Sequence, residues 1–141
     1  MSRFIPGAFA FSVAIVTISI ALWPAGARYA QEVGKTREKS PGRVRKNLGE
    51  YPANVEGFEK VRVVEDTVQP GAGWTTRSMP VPMFCTLLKG EFKRTLVGGE
   101  TRILKAGDSW VCEVGQSTVV ENTGSEPAVM RMHLLIPPGK K

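Results

Sequence analysis

From Glu59 onward the chain repeats one pattern: a few residues of apolar–polar alternation, a turn marked by Gly, Pro or Asn, then another short run. Period two is the mark of a strand with one face toward a core. In the first run Val61, Val63 and Glu65 fall on one side, and Arg62, Val64 and Asp66 on the other. Pro70-Gly71-Ala72-Gly73 makes a turn, and Met83–Lys89 and Glu91–Val97 read as strands on either side of Gly90. Gly98-Gly99 precedes Glu100–Leu104, and two glycines supply the positive φ angles of a tight hairpin without a Cβ clash. Turns at Ala106-Gly107-Asp108, Gly115 and Asn122-Thr123-Gly124 bound runs at Ser109–Cys112, Ser117–Glu121 and Ala128–Ile136. No segment after residue 59 carries a helical period. Short strands with turn signals about every eight to twelve residues predict an all-β sandwich or barrel.

Composition limits the rest. The chain has 141 residues, 42% hydrophobic and 23% charged, which suits one ordinary folded domain. Collagen, coiled coil, a polytopic membrane protein and wholesale disorder are excluded. One His and two Cys exclude a zinc-finger array or a disulfide-dense mini-protein.

Residues 1–27 read as an export signal. Arg3 gives a positive start, Ala8–Leu22 carries no charge, Pro24 breaks the run, and Ala25-Gly26-Ala27 offers a small-residue cleavage site. The apolar run is shorter than the roughly twenty residues of a spanning helix. A periplasmic or secreted location is expected, with an uncleaved membrane anchor as the alternative. Residues 28–57 read as a basic flexible linker. Lys35, Arg37, Lys39, Arg43, Arg45 and Lys46 crowd together against Glu38 alone, beside Ser40, Pro41, Gly42 and Gly49, without apolar periodicity. Residues 35–46 would rest on an anionic membrane surface, or serve as a solvated spacer; nucleic acid is not expected of an exported chain. The folded barrel is then residues 58–138, with a short tail at 139–141.

Gly107, Asp108, Gly115 and Asn122, in GDSWVCEVGQSTVVENTG, stand at the spacing of the second cupin motif, and PGAG and LLKGEF match turns of the first. The chain therefore resembles the cupin family over about residues 58–138. That resemblance implies a jelly-roll, or double-stranded β-helix, barrel. Cupin enzymes commonly hold iron, manganese, nickel or zinc through three His and one Glu. Here Glu113 replaces the motif's Pro, and Thr118 takes the place of the second motif's His. The acid position falls on Met83, and the two remaining His positions fall on Thr76 and Ser78, or in the other register on Arg77 and Met79. No register supplies an imidazole, so no metal and no cofactor are expected.

The resemblance places Thr76, Arg77, Ser78, Met83, Cys85, Thr118 and Met132 around a ligand pocket, with Trp74 and Trp110 near its rim. Apolar walls with a few hydroxyls suit a small organic ligand, and Arg77 would recognise a carboxylate with its planar fork. If the cupin strand order holds, Cys85 and Cys112 lie on neighbouring strands. An oxidising compartment would favour a disulfide between them, provided the Cα atoms lie within about 7 Å; two buried thiols or a metal-binding pair are the alternatives. Met79, Met83, Cys85, Cys112, Met130 and Met132 are soft donors suited to Cu(I), although Met is also the usual filler of core gaps. Met130, Met132, Leu134 and Ile136 are expected inward, which leaves His133 outside beside Arg131. No Ser-His-Asp arrangement is readable from spacing.

These observations favour an exported, metal-free, non-catalytic barrel that serves as a small-molecule-binding or accessory protein, an anion being one candidate for its small organic ligand. The rivals are a dioxygenase or isomerase-like cupin enzyme with non-standard metal ligands, a metal-free catalyst using Arg77, Glu113 and His133, a Cu(I)-binding barrel, and a purely structural module. A homodimer is expected through sheet faces, swapped N-terminal strands or Leu48–Phe58.

Overall fold

Among the described residues ten strands make up the regular structure: β1 (Thr36–Ser40), β2 (Arg43–Pro52), β3 (Lys60–Val68), β4 (Gly73–Thr76), β5 (Met83–Lys89), β6 (Glu91–Leu96), β7 (Thr101–Lys105), β8 (Ser109–Cys112), β9 (Thr118–Glu121) and β10 (Ala128–Ile136). The structure is a computed structural model that describes residues 33–140. The export signal and its anchor alternative lie outside the described residues.

Every strand pairing is antiparallel, in a six-stranded sheet ordered β1-β2-β3-β10-β5-β8 and a four-stranded sheet ordered β4-β9-β6-β7. The sheets face each other across one core, as the alternation requires. β10 shows this most cleanly. Ala128, Met130, Met132, Leu134 and Ile136 are buried, while Val129, Arg131, His133 and Leu135 are half-buried on the other face. Val68, Leu87 and Met130 of the larger sheet meet Phe92, Leu104 and Val120 of the smaller. Fully burying a side chain such as Leu87 or Phe92 stabilises the fold by roughly 1.5–3 kcal/mol.

Two motif residues are explained by the turns they make. Gly90 carries the chain from β5 in one sheet to β6 in the other at φ +83°, and a Cβ there would meet the Ala128 Cα at 2.8 Å. Only glycine fits both conditions. Asn122 is buried after β9; its amide donates to the Val68 and Glu126 carbonyls, and its own carbonyl accepts the Gly124 N–H. One side chain thus fixes the loop into β10 to the end of β3.

The basic segment corrects its expectation. Within the range expected as a flexible linker, β1 and β2 form a hairpin, with Ser40 opposite Arg43 across Pro41-Gly42, and β2 pairs along β3 from Arg43↔Val68 to Pro52↔Lys60. The turn residue Gly42 sits at φ +72°, and Pro-Gly is a turn signal. Charge does not prevent strand formation here, because the inward Arg43 and Arg45 meet the fully buried Asp66 across the ladder. β1 closes the sheet as an exposed, charged edge, which discourages pairing with another chain. β4 is a second addition: Gly73–Thr76 pairs with β9 directly after the Pro70–Gly73 turn.

Candidate functional site

Between the sheets lies a cavity of about 240 Å³. Its walls divide by chemistry. At one end stand six sulfur side chains: Met79, Met83, Cys85, Cys112, Met130 and Met132. Beside them stand Lys39, Arg43 and Arg45 from β1 and β2, and Arg94 reaches in from β6 to the cysteines. Trp74, Trp110, Thr76 and Thr118 complete the lining used below.

The cationic end is organised by Asp66. Arg43 donates to Asp66 Oδ2 from Nε at 2.7 Å and from Nη2 at 2.5 Å. Arg45 donates from Nε to Oδ1 at 2.6 Å and from Nη2 to Oδ2 at 2.9 Å. One carboxylate thus orients two guanidinium forks, the pairing such planar donors favour. The Arg43 guanidinium also lies 3.8 Å from the centre of the Trp74 ring, and Trp74 meets Phe92 edge to face at 5.8 Å. Lys39 has its pKa lowered by burial first, then by the neighbouring Arg45, Arg37 and Arg43. Positive charge at this end is therefore in excess. A groove lined by Lys35, Arg37, Glu50 and Arg62 shares Lys39 and Arg45 with the cavity, and Glu50 there pairs with Arg62.

Arg94 is only 6% exposed, and no carboxylate pairs with it among the described residues. Its Nη2 donates to Cys112 Sγ at 3.9 Å and to Gln116 Oε1 at 3.4 Å. The two cysteines share a hydrogen bond. Cys85 donates its proton to Cys112 and is buried, and both effects push its thiol far up. Cys112 accepts that hydrogen bond, and Arg94 and the Trp110 N–H favour its thiolate; together they outweigh burial and pull it down to about 6.

Of the residues expected around a pocket, Thr76, Met83, Cys85, Thr118 and Met132 line this cavity. Arg77 and Ser78 do not: both are exposed in the loop after β4. The strand ends at Thr76, so the alternation that would have turned Ser78 inward stops two residues short. Glu113 is exposed, and His133 is half-buried on the outer face between Val63 and Phe84. Arg77, Glu113 and His133 are therefore absent from the lining, which contains no imidazole or carboxylate.

Of the alternatives expected for Cys85 and Cys112, the structure is drawn with two thiols. The register sets Cys85 opposite Trp110 and Cys112 opposite Met83, so the two cysteines are diagonal neighbours.

Lys39, Arg43, Arg45 and Arg94 were missed as pocket residues by sequence reasoning. For Arg94 the signal was present, since it shares the parity of Phe92, which faces the core.

Residues 64–137 match the family model described as a cupin domain. The chain belongs to the cupin family. No curated protein matches its sequence. Among solved structures, the cupin is similar to a double-stranded β-helix protein of Klebsiella pneumoniae, with 21% identity, 79% of this chain and 89% of that one covered, and a TM-score of 0.59. It is also similar to KdgF from a Halomonas species, with 19% identity, coverage of 74% and 88%, and a TM-score of 0.58. An RmlC-like cupin of Shewanella frigidimarina gives 16% identity, coverage of 75% and 86%, and a TM-score of 0.58. At these identities the likeness establishes the fold alone.

The family's usual metal set does not fit this cupin. At the four matching positions stand Thr76, Ser78, Met83 and Thr118: three hydroxyls and a thioether, with Ser78 outside the cavity. Iron, manganese, nickel and zinc favour imidazole and carboxylate there. Among the described residues no group of three or more His, Cys, Asp or Glu is placed to hold an ion.

Proposed function

We propose that this cupin binds a compact organic anion, a small carboxylate, without catalysing a reaction on it, as an exported protein of the periplasm or cell exterior. The observation that carries this reading is the charge imbalance of the cavity, which is lined by Lys39, Arg43, Arg45 and Arg94 and has Asp66 behind Arg43 and Arg45 as its counter-charge. An anion entering from the β1–β2 side would meet fixed donors whose geometry Asp66 already sets. Its apolar body would lie against Trp74, Trp110 and the methionines. At about 240 Å³ the space is smaller than the roughly 300–1,000 Å³ of drug-sized sites, so the ligand is compact. Carboxylate recognition, expected of Arg77, passes to the arginines of β2. The non-catalytic part of the reading is supported by a lining without imidazole or carboxylate, the side chains most often used as general acid or base.

Benzoate and its neutral isostere benzamide provide the test. Isothermal titration should show benzoate binding and benzamide not, with Lys39→Gln weakening benzoate roughly fivefold, about 1 kcal/mol. Equal binding of the two, or no difference between Lys39→Gln and the parent protein, would remove the anion from the assignment. Chemical conversion of a bound carboxylate would remove the word non-catalytic.

A further inference from the structure

The sulfur end of the cavity has an order that core filling does not require. β8, β5 and β10 lie side by side, and their inward positions form a small grid. Cys112 is directly opposite Met83, and Cys85 is directly opposite Met132. Met83 and Cys85 are successive inward residues of β5. Four sulfurs therefore follow one another as Cys112, Met83, Cys85 and Met132, each step a direct cross-strand or same-face neighbour. Direct cross-strand neighbours have Cβ atoms about 4.5–5.5 Å apart, within reach of a shared ion.

Both ends of this row are touched by a guanidinium. Arg94 Nη2 lies 3.9 Å from Cys112 Sγ, and Arg45 Nη2 lies 3.9 Å from Met132 Sδ. Positive charge so close argues against a hard divalent ion held by neutral donors. It suits a complex that is itself anionic.

We propose that Cys85 and Cys112 bind one Cu(I) ion as a pair of thiolates, with the Met83 and Met132 thioethers beside it and Arg94 facing its negative charge. Two thiols and one Cu(I) give a bis-thiolate complex of charge −1 and release two protons, with no change of oxidation state. Thiolate and thioether donors together select Cu(I) over metals that want imidazole or carboxylate. Zn(II) on the same two thiolates would be neutral and would leave Arg94 without a counter-charge. The register supports the same choice: Cys85 and Cys112 are both inward on the adjacent strands β5 and β8, so one ion can bridge their sulfurs. The copper site shares Arg94 and the methionine wall with the organic-anion reading but takes its ligands from the two thiols, which that reading does not use.

The test is an anaerobic titration of the whole chain, reduced and stripped with chelator, against the Cu(I)–bicinchoninate complex. One copper per chain should be retained in native mass spectrometry, with only sulfur scatterers in the X-ray absorption spectrum. Cys85→Ser and Cys112→Ser should each abolish retention. Arg94→Gln, which removes only the outer partner, should weaken it by about 10–100-fold. Should a serine variant fail to fold by circular dichroism, Met83→Leu and Arg94→Gln serve in its place, since neither removes a thiol. Transfer of all copper to bicinchoninate would overturn the proposal. So would undiminished copper in folded Cys85→Ser and Cys112→Ser chains, or nitrogen and oxygen scatterers replacing sulfur. Benzoate binding measured on the copper-free protein stands or falls independently.

Discussion

One cavity wall is held by ionic pairing and the other by packing, although the same strand rule builds both. At the β1–β2–β3 end, inward positions carry Arg43, Arg45 and Asp66, and each depends on a neighbour in the adjacent strand. At the β8–β5–β10 end, inward positions carry sulfur and indole side chains that fit by shape. A buried ion group is unforgiving, since removing one member strands the others in a medium that penalises unpaired charge. A thioether wall tolerates exchange, because Met and Leu differ little in volume and neither requires a partner. The two ends should therefore respond very differently to conservative substitution.

The largest expected effect tests that contrast directly. Asp66→Ala leaves two guanidiniums without their carboxylate and should destabilise the fold by about 3–5 kcal/mol in urea denaturation. Met130→Leu, at the packed end, should cost less than about 1.5 kcal/mol. Comparable losses for the two substitutions would mean that solvent already screens the Asp66 group and that the two ends do not differ in kind.

How much of this was legible in the sequence follows the same division. Alternation in β10 identified an inward face of the packed end, because apolar residues on one parity announce which face is inside. The turn glycines and Asn122 carried the cupin resemblance, because positive φ and a loop clamp need those particular residues. The cationic end was hidden. In β2 the inward residues are Arg43 and Arg45, so hydrophobic periodicity has nothing to detect, and the segment read as a solvated arm. The needed signal was Asp66, an acid on the same parity as Val64. A buried carboxylate requires cationic partners, and the cluster just upstream supplied them. Arg77 failed for a different reason: strand β4 ends at Thr76, and end positions are set by tertiary pairing rather than by local pattern.

Titration separates the ends next. Cys112 lies at about 6 in the fold against an ordinary value of 9.0. Since its folded value is depressed, its contribution to stability is fully present above the unfolded value and is lost as pH falls through 6. Between pH 9 and 6, in chelator and reductant, the stability difference between the parent protein and Cys112→Ser should shrink steadily as pH falls. Thiolate ultraviolet absorbance should lose its Cys112 component with a midpoint near 6. A midpoint at the ordinary thiol value would mean that Arg94 and Cys85 do not act on Cys112, and the sulfur end would then be electrostatically as plain as its packing.

The smallest effect is expected at Arg77, and its smallness is informative. The resemblance made this residue the carboxylate recogniser, whereas the fold leaves its side chain exposed outside the cavity lining. What the fold uses at this position is the backbone, whose carbonyl accepts a hydrogen bond from the Ser117 hydroxyl. Any residue offers that carbonyl. Arg77→Gln should therefore change stability by no more than about 0.5 kcal/mol and leave benzoate affinity at its parent value, while Lys39→Gln lowers it. If Arg77→Gln instead weakened benzoate as much as Lys39→Gln does, the loop after β4 would have to fold over the cavity mouth when ligand binds. Recognition would then be shared between the β1–β2 wall and a moving loop, not fixed in advance by Asp66.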